Sequence, residues 1–362
     1  MQHNAWTYAT EYPINQISDI AETKTHYVLR GARVIYFMDK EHRTITHTIP
    51  LAIDHEFGYK LLEANEEACF VVVHCESQSK EDVFGDPQKP HLQSYSTQGL
   101  NWSYAFNGWS IGANYGGVFL FDERLVFTEK QEGDFVTVVL DAATGEVLQK
   151  TAGHRYRHHS GNHLSMLQSL KDSKHKRIYH TVNSEGLYVT DLQSKELSTR
   201  LLLSYRPKTL AQNEDFIYCH GFKDDKTYFF VIDKADNTVK EEIIVDDKIN
   251  IEQIIASNDS NYLLLMHEDC SVSGFDLLNK EIKWKIGQDR KTKIYQGVID
   301  KNNLWYVFWK KPSTFIDIVN IQTGVVLQNI QPVKGKFYQP FFVLGNVLFV
   351  ADFNKVYCFE RR

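Results

Sequence analysis

A short pattern recurs along this chain about every 45 residues, and it limits the available folds more than any other feature. An acid or its surrogate closes one β-branched run, a polar turn follows, and a second run departs about five residues later. The clearest copies are Asp141-Ala-Ala-Thr-Gly145-Glu-Val-Leu-Gln149, Asp276-Leu-Leu-Asn-Lys280-Glu-Ile-Lys-Trp284 and Asn320-Ile-Gln-Thr-Gly324-Val-Val-Leu-Gln328. Weaker copies begin at Asp39, Tyr95, Asp191 and Asp233, so the anchors step by 56, 46, 50, 42, 43 and 44 residues. Asp or Asn can accept hydrogen bonds from the backbone ahead of it, and Gly accepts the positive φ of a tight hairpin. Between anchors there is room for two more strands, such as Gly117–Phe121 and Arg124–Thr128 before Phe135. Each unit is therefore predicted to be a four-stranded antiparallel meander. Such a sheet has two apolar faces and must pack against its neighbours, as the blades of a β-propeller do.

The last copy, Val356-Tyr-Cys-Phe-Glu360, stops before its second run. The extended segment Trp6–Tyr12 can supply the missing outer strand, joining the two ends of the chain in one blade and removing an open edge. Dividing 362 residues by about 45 favours eight blades; seven stays open, because the first two units are irregular. The expectation is an all-β chain with residues 1–362 as a single propeller domain, rather than the two domains that length alone suggests.

The pattern Asp-x-x-Thr-Gly-x-x-x-(Trp/Gln) resembles the repeat of the quinoprotein-like β-propellers. Gly holds the fifth place at Gly99, Gly145 and Gly324, and Trp the ninth at Trp284. The resemblance implies a fold that hosts enzymes, assembly factors and binding modules alike. The enzymes of that superfamily hold a quinone between a vicinal-cysteine disulfide and a tryptophan, beside calcium and a catalytic aspartate. This chain has no Cys-Cys pair, and none of those ligands carries over to a residue here. No cofactor is expected.

Other chemistry is equally without a template. There is no Walker A loop, G-x-S-x-G elbow, H-E-x-x-H helix or dinucleotide fingerprint. Gly112-Ala-Asn-Tyr-Gly116-Gly117 lacks the strand–helix context of a phosphate cradle. Acidic doublets such as Asp224-Asp225 and Asp246-Asp247 read as solvated turns. The five cysteines, Cys69, Cys75, Cys219, Cys270 and Cys358, show no paired spacing and read as small hydrophobes in strands. Six of the 15 histidines fall between His154 and His180. His154, His158, His159 and His163 are the weak metal candidates, against a plain basic loop. With 40 basic and 46 acidic residues and a formal charge of −6, nothing draws the chain to nucleic acid. No apolar run of about 18 residues suggests membrane insertion. The N-terminal residues show no signal-peptide pattern, so a cytoplasmic location is expected; separately, the chain is expected to be a monomer on its own.

The turns within the repeat are short, whereas the connections Cys75–His91, Asn107–Gly117, Thr151–His163, Gly287–Lys293 and Gln331–Gln339 are long. All of the long ones join a second strand to a third, or a fourth strand to the next unit, which places them on one rim. They and their flanks carry Phe84, Trp109, Tyr115, Arg155, Tyr156, Arg157, Arg206, Arg290, Trp309 and Lys310. Aromatic residues and arginines dominate binding hot spots. A second basic run, Lys171–Arg177, belongs to a hairpin at the opposite end and reads as solvated. The expected function is non-enzymatic binding of a protein partner by the loop-rich rim. Two specific forms are an immunity protein that neutralises a bacterial toxin domain and an assembly adaptor. The alternative is a hydrolase or lyase acting on a carbohydrate or small ester at the channel mouth, which needs acidic side chains converging there.

Overall fold

The computed structural model describes residues 6–14, 17–31, 33–51, 62–74, 90–106, 117–131, 134–151, 166–182, 186–193, 197–205, 207–223, 226–245, 249–257, 261–269, 271–287, 293–299, 304–310, 314–330, 341–351 and 354–361. Among these residues all regular structure is β. The strands form eight four-stranded antiparallel sheets, built from 19–50, 62–105, 119–150, 166–203, 207–245, 251–286 and 293–330, and from 341–361 with Trp6–Tyr12. These are the blades of a β-propeller, here numbered one to eight in that order. In the eighth, Trp6–Tyr12 pairs antiparallel with Val356–Arg361, matching Trp6 to Arg361 and Tyr12 to Val356.

The repeat anchors act as their chemistry predicts. Asp141 Oδ1 accepts the N–H groups of Ala143 and Thr144 at 2.9 and 2.8 Å. Asp276 Oδ1 takes those of Leu278 and Asn279 at 2.9 and 3.0 Å, and Asn320 Oδ1 those of Gln322 and Thr323 at 3.0 Å each. The fifth residue of the turn then adopts positive φ whatever its identity: Arg43 at 56°, Gly145 at 74°, Asn237 at 59°, Lys280 at 58° and Gly324 at 71°. The residue after the anchor ties this turn to the first hairpin of its own blade. Ala142 N–H donates to Glu123 O at 2.9 Å, and Leu192 N–H to Lys176 O at 3.0 Å.

The second blade corrects the reading of its anchor. Its third and fourth strands, Pro90–Ser96 and Gly99–Ala105, pair Ser96 with Gly99, leaving only Thr97 and Gln98 in the turn. Ser96, not Tyr95, is the anchor, and its Oγ accepts Gln98 N–H at 3.3 Å. The shorter turn moves the following tryptophan forward, so Trp102 stands opposite Ser94 as Trp284 stands opposite Gly274.

The chain's contacts divide it into two units, residues 15–180 with 188–201, and residues 1–14 with 181–187 and 202–362. In the first, the second and third blades enclose Phe70, Val72, Phe106, Leu125, Phe127 and Val138, all at most 1% exposed. Arg30, wholly buried, reaches from the first blade to donate to Val72 O in the second at 3.3 Å, with Asp19 at 3.7 Å. In the second unit, Phe229 and Phe275 stack at 5.1 Å between the fifth and sixth blades, among Ile243, Ile254, Leu263 and Leu265. The fourth strands are the exposed ones, as in Glu281–Ile286 and Val326–Ile330. Cys69, Cys219 and Cys358 are buried free thiols, which fits their reading as small hydrophobes; Cys75 and Cys270 lie outside the described residues.

Candidate interaction surfaces

Connections within a blade fall into two groups. Those joining first to second and third to fourth strands are tight, the longest spanning 192–197. The other group contains every long span between the described strands: 51–61, 75–89, 106–118, 151–165 and 331–340; the connection after Ile286, expected to be long, has only the six residues 287–292. The span 51–61 went unnoticed in the sequence because the first unit is irregular and its last strand, Ile45–Pro50, is mostly polar on its exposed side. Of the rim residues, Phe84, Trp109, Tyr115, Arg155, Tyr156, Arg157, Arg206 and Arg290 lie outside the described residues, as do His154, His158, His159 and His163. Trp309 and Lys310 do not stand in a loop: they close the strand Leu304–Lys310, paired with Phe315 and Thr314. The residues between Leu304 and Lys310 are all aromatic or β-branched, so pairing extends to the end of the run. Among the described residues no group of three His, Cys, Asp or Glu side chains is placed to hold a metal ion.

The opposite end is described in detail, and it corrects the reading of the basic run. Lys171–Arg177 is not simply solvated; its cations meet acids from other segments. Lys171 Nζ lies 3.6 Å from Glu63, Lys176 Nζ donates to Asp122 at 2.5 Å, and Arg177 Nε donates to Asp191 at 3.1 Å. His175 Nδ1 lies 2.8 Å from a carboxylate oxygen of the buried Asp172. Three of the cations in this run are thus paired with carboxylates.

Two features flank this run. Glu63 and Lys171 sit on the first strands of the second and fourth blades, half-buried, with the Lys171 ammonium 5.4 Å from the Phe121 ring centroid on the first strand of the third. Burial raises the Glu63 carboxyl above its ordinary range, and Lys171 opposes that shift. Beside Phe121 a cleft of about 590 Å³ opens between the third and fourth blades, lined by Phe121, Asp122, Glu123, Arg124, Val126, Lys176, Leu192 and Gln193. Its floor continues into the buried cluster of Phe121, Val126, Val139 and Ile178. Asp122 and Lys176 each hold the positive φ of a hairpin turn, at 52° and 50°. Those turns aim their side chains at one another.

Three other junctions are sealed by the chain itself. Trp102 lies against Gly145 of the next blade and donates Nε1–H to Ala142 O at 3.1 Å. Trp284 lies against Gly324 and donates to Ile321 O at 2.9 Å. Gln328, at the ninth place of the seventh unit, accepts Trp6 N–H at 3.1 Å and donates to Trp6 O at 3.0 Å. The fifth and ninth places of the repeat therefore interlock consecutive blades.

No protein-family model matches the chain, and no curated protein matches it by sequence. Solved structures match it closely in fold. The Dos1 propeller superposes with a TM-score of 0.68 at 12% identity, covering 98% of this chain and 95% of that one. The C-terminal WD40 domain of Sif2 gives 0.66 at 11% identity, covering 99% of each. BamB from Moraxella catarrhalis gives 0.60 at 12% identity, covering 98% of this chain and all of its own. At such identities the likeness shows the fold. The chain is a β-propeller.

Proposed function

We propose that this propeller is a non-enzymatic binding module that holds a partner protein against its loop-rich end. The observation that carries the reading is the segregation of connections. Every span longer than 192–197 emerges where second strands hand over to third and where one blade hands over to the next. Long connections on a rigid scaffold are where recognition is usually built. Trp109, Tyr115, Arg155, Tyr156 and Arg157 fall within two of those spans. The proposed partner is a folded protein. A toxin domain held by an immunity protein and a component of a larger assembly are the two specific forms, and the identity of the isolated partner separates them. We also assign the repeat to the quinoprotein-like kind, because its glycine and Trp/Gln places are the ones that interlock the blades.

Lysine cross-linking of the complex isolated from native cells tests the placement. Links from Lys310 and Lys311, lost when Trp109, Tyr156 and Arg157 are all changed to Ala, are the expected result. Links confined to Lys174 and Lys176, at the other end, would overturn it.

A further inference from the structure

His220, on the second strand of the fifth blade, is wholly buried, and neither ring nitrogen has a hydrogen-bond partner. An imidazole always carries at least one N–H, so a buried donor goes unmet, which native cores rarely tolerate. Phe229 stands directly opposite His220 on the third strand and stacks on Phe275 of the sixth blade. Residues paired in this way share a face, so His220 belongs to the junction between the fifth and sixth blades. Two of the links that tie the first strand of the fifth blade, Pro207–Gln212, to the sixth are weak. Lys208 Nζ donates to Glu268 at 2.5 Å in a largely exposed pair, and Ile254 N–H donates to Thr209 Oγ1 at 3.4 Å. A bulge between Pro207 and Thr209 also interrupts the pairing of this strand with the second, just where Thr209 meets His220.

The charges around His220 are arranged against a proton. Lys208 is the one charge among the described residues that acts on it, and its ammonium lies 5.5 Å from the centroid of Phe222, which packs on the imidazole. On its own strand, Tyr218 is engaged by Asn213 at 2.8 Å. From the sixth blade, Glu268 is engaged by Lys208, and His267 bonds Ser273 Oγ at 2.7 Å with Lys285 and Asp269 as its charged neighbours. No carboxylate of the described residues offsets a charge on His220.

We propose that this junction is an acid-sensitive latch: proton uptake by His220 favours a local opening in which residues 207–209 part from the imidazole and from the sixth blade, while the rest of the propeller stays folded. In the closed junction burial first, and Lys208 second, hold the His220 pKa down to about 3; water returns it to about 6.5. Above 6.5 neither state binds the proton. Between 6.5 and 3 only the open state does, so closure weakens as pH falls. His220 stands toward the turn 224–225, so the latch loosens part of the loop-rich end, whether or not a partner is bound there.

Hydrogen–deuterium exchange of the full chain at pH 7, 6 and 5, corrected for intrinsic rates, tests this. Amides of residues 208–210 are expected to be less protected than those of 69–73 and 347–351 at each pH. Their exchange should also be insensitive to about 1 M urea, as befits an opening that exposes little surface. Below about pH 6.5 their opening should rise about tenfold per pH unit, and His220→Leu should lose that factor. Glu268→Gln, which weakens the clamp alone, should open the junction about two- to fivefold more at pH 7 and keep the pH slope. Exchange at 208–210 only through global unfolding, a slope that survives in His220→Leu, or no added opening in Glu268→Gln would each overturn the latch.

Discussion

His220 occupies the least accommodating position of any polar side chain described. It is wholly buried, both ring nitrogens lack a hydrogen-bond partner, and Phe222 and Phe229 pack on it with centroids at 5.0 and 5.4 Å. Burial, and secondarily the charge of Lys208, pushes its pKa down to about 3 from 6.5. His267, hydrogen-bonded to Ser273 Oγ at 2.7 Å, is held at about 4, again chiefly by burial. The unfolded chain takes up these protons as pH falls through about 6.5, whereas the folded chain waits until about 3 to 4. Stability is therefore full above 6.5 and declines below it, by about 1.4 kcal/mol per pH unit for each such group. Urea unfolding at pH 7, 6 and 5 should show this decline, and His220→Leu should make it shallower by about one proton; an unchanged slope would refute the assignment. Next to it, the Cys219 thiol is pushed up to about 12 by burial, as is that of Cys69. Both should resist iodoacetamide at pH 8 until the protein is unfolded, read by mass spectrometry of the alkylated peptides. In the sequence, Cys69, Cys219 and His220 are only members of apolar runs. Whether a histidine in such a run finds a partner depends on strands tens of residues away, which no local pattern contains.

At the scale of the element, the repeat is degenerate because the backbone asks for a conformation and not for a residue. The fifth position is left-handed in Gly145 and Gly324 but also in Arg43, Asn237 and Lys280. A side chain there costs about 1–2 kcal/mol and is tolerated, so glycine drifts out of the motif while the turn persists. Lys280→Gly should accordingly stabilise the protein, by up to about 1 kcal/mol once glycine's greater unfolded freedom is counted. The ion pair lost, Lys280 with Glu241, is exposed and offers little in return. The converse holds at Gly324, where φ is 71° and an added Cβ would come within 2.7 Å of the Trp284 indole. Gly324→Ala should destabilise by about 2 kcal/mol or more, combining strain with overpacking. Equal effects of opposite substitutions at Lys280 and Gly324 in thermal unfolding would mean that the Trp284 contact contributes nothing. The anchors were legible because Asp and Asn act on their own next three residues. Trp102 was not, since a turn shortened to Thr97 and Gln98 hides it from a count made along the repeat.

At the scale of the whole molecule, what could be read from the sequence is what repeats. The meander, the anchors and the closing strand Trp6–Tyr12 all follow from a pattern seen several times, so errors in one copy are outvoted by the rest. The cleft could not be read that way. Its walls come from residues 121–126, 176 and 192–193, three separate turns brought together only by packing two blades. Closure offers the sharpest test of the architecture. Trp6 is 5% exposed, lies among Ile316, Ile318, Leu348 and Phe359, and has the Arg361 guanidinium 4.7 Å above its ring. Gln328 clamps its backbone through two hydrogen bonds, and Glu11 pairs with Lys355. Removing residues 1–12 takes away this whole set and leaves the edge of Val356–Arg361 unpaired, an edge apolar enough to recruit other chains. The truncated chain should aggregate or lose its sharp thermal transition, whereas Gln328→Ala, which sacrifices only the clamp, should cost about 1–3 kcal/mol. A synthetic peptide of residues 1–14 added to the truncated chain should pair with that edge and restore the transition. If the truncation melts as the full chain does, the first strand is an accessory rather than the element that completes the eighth blade.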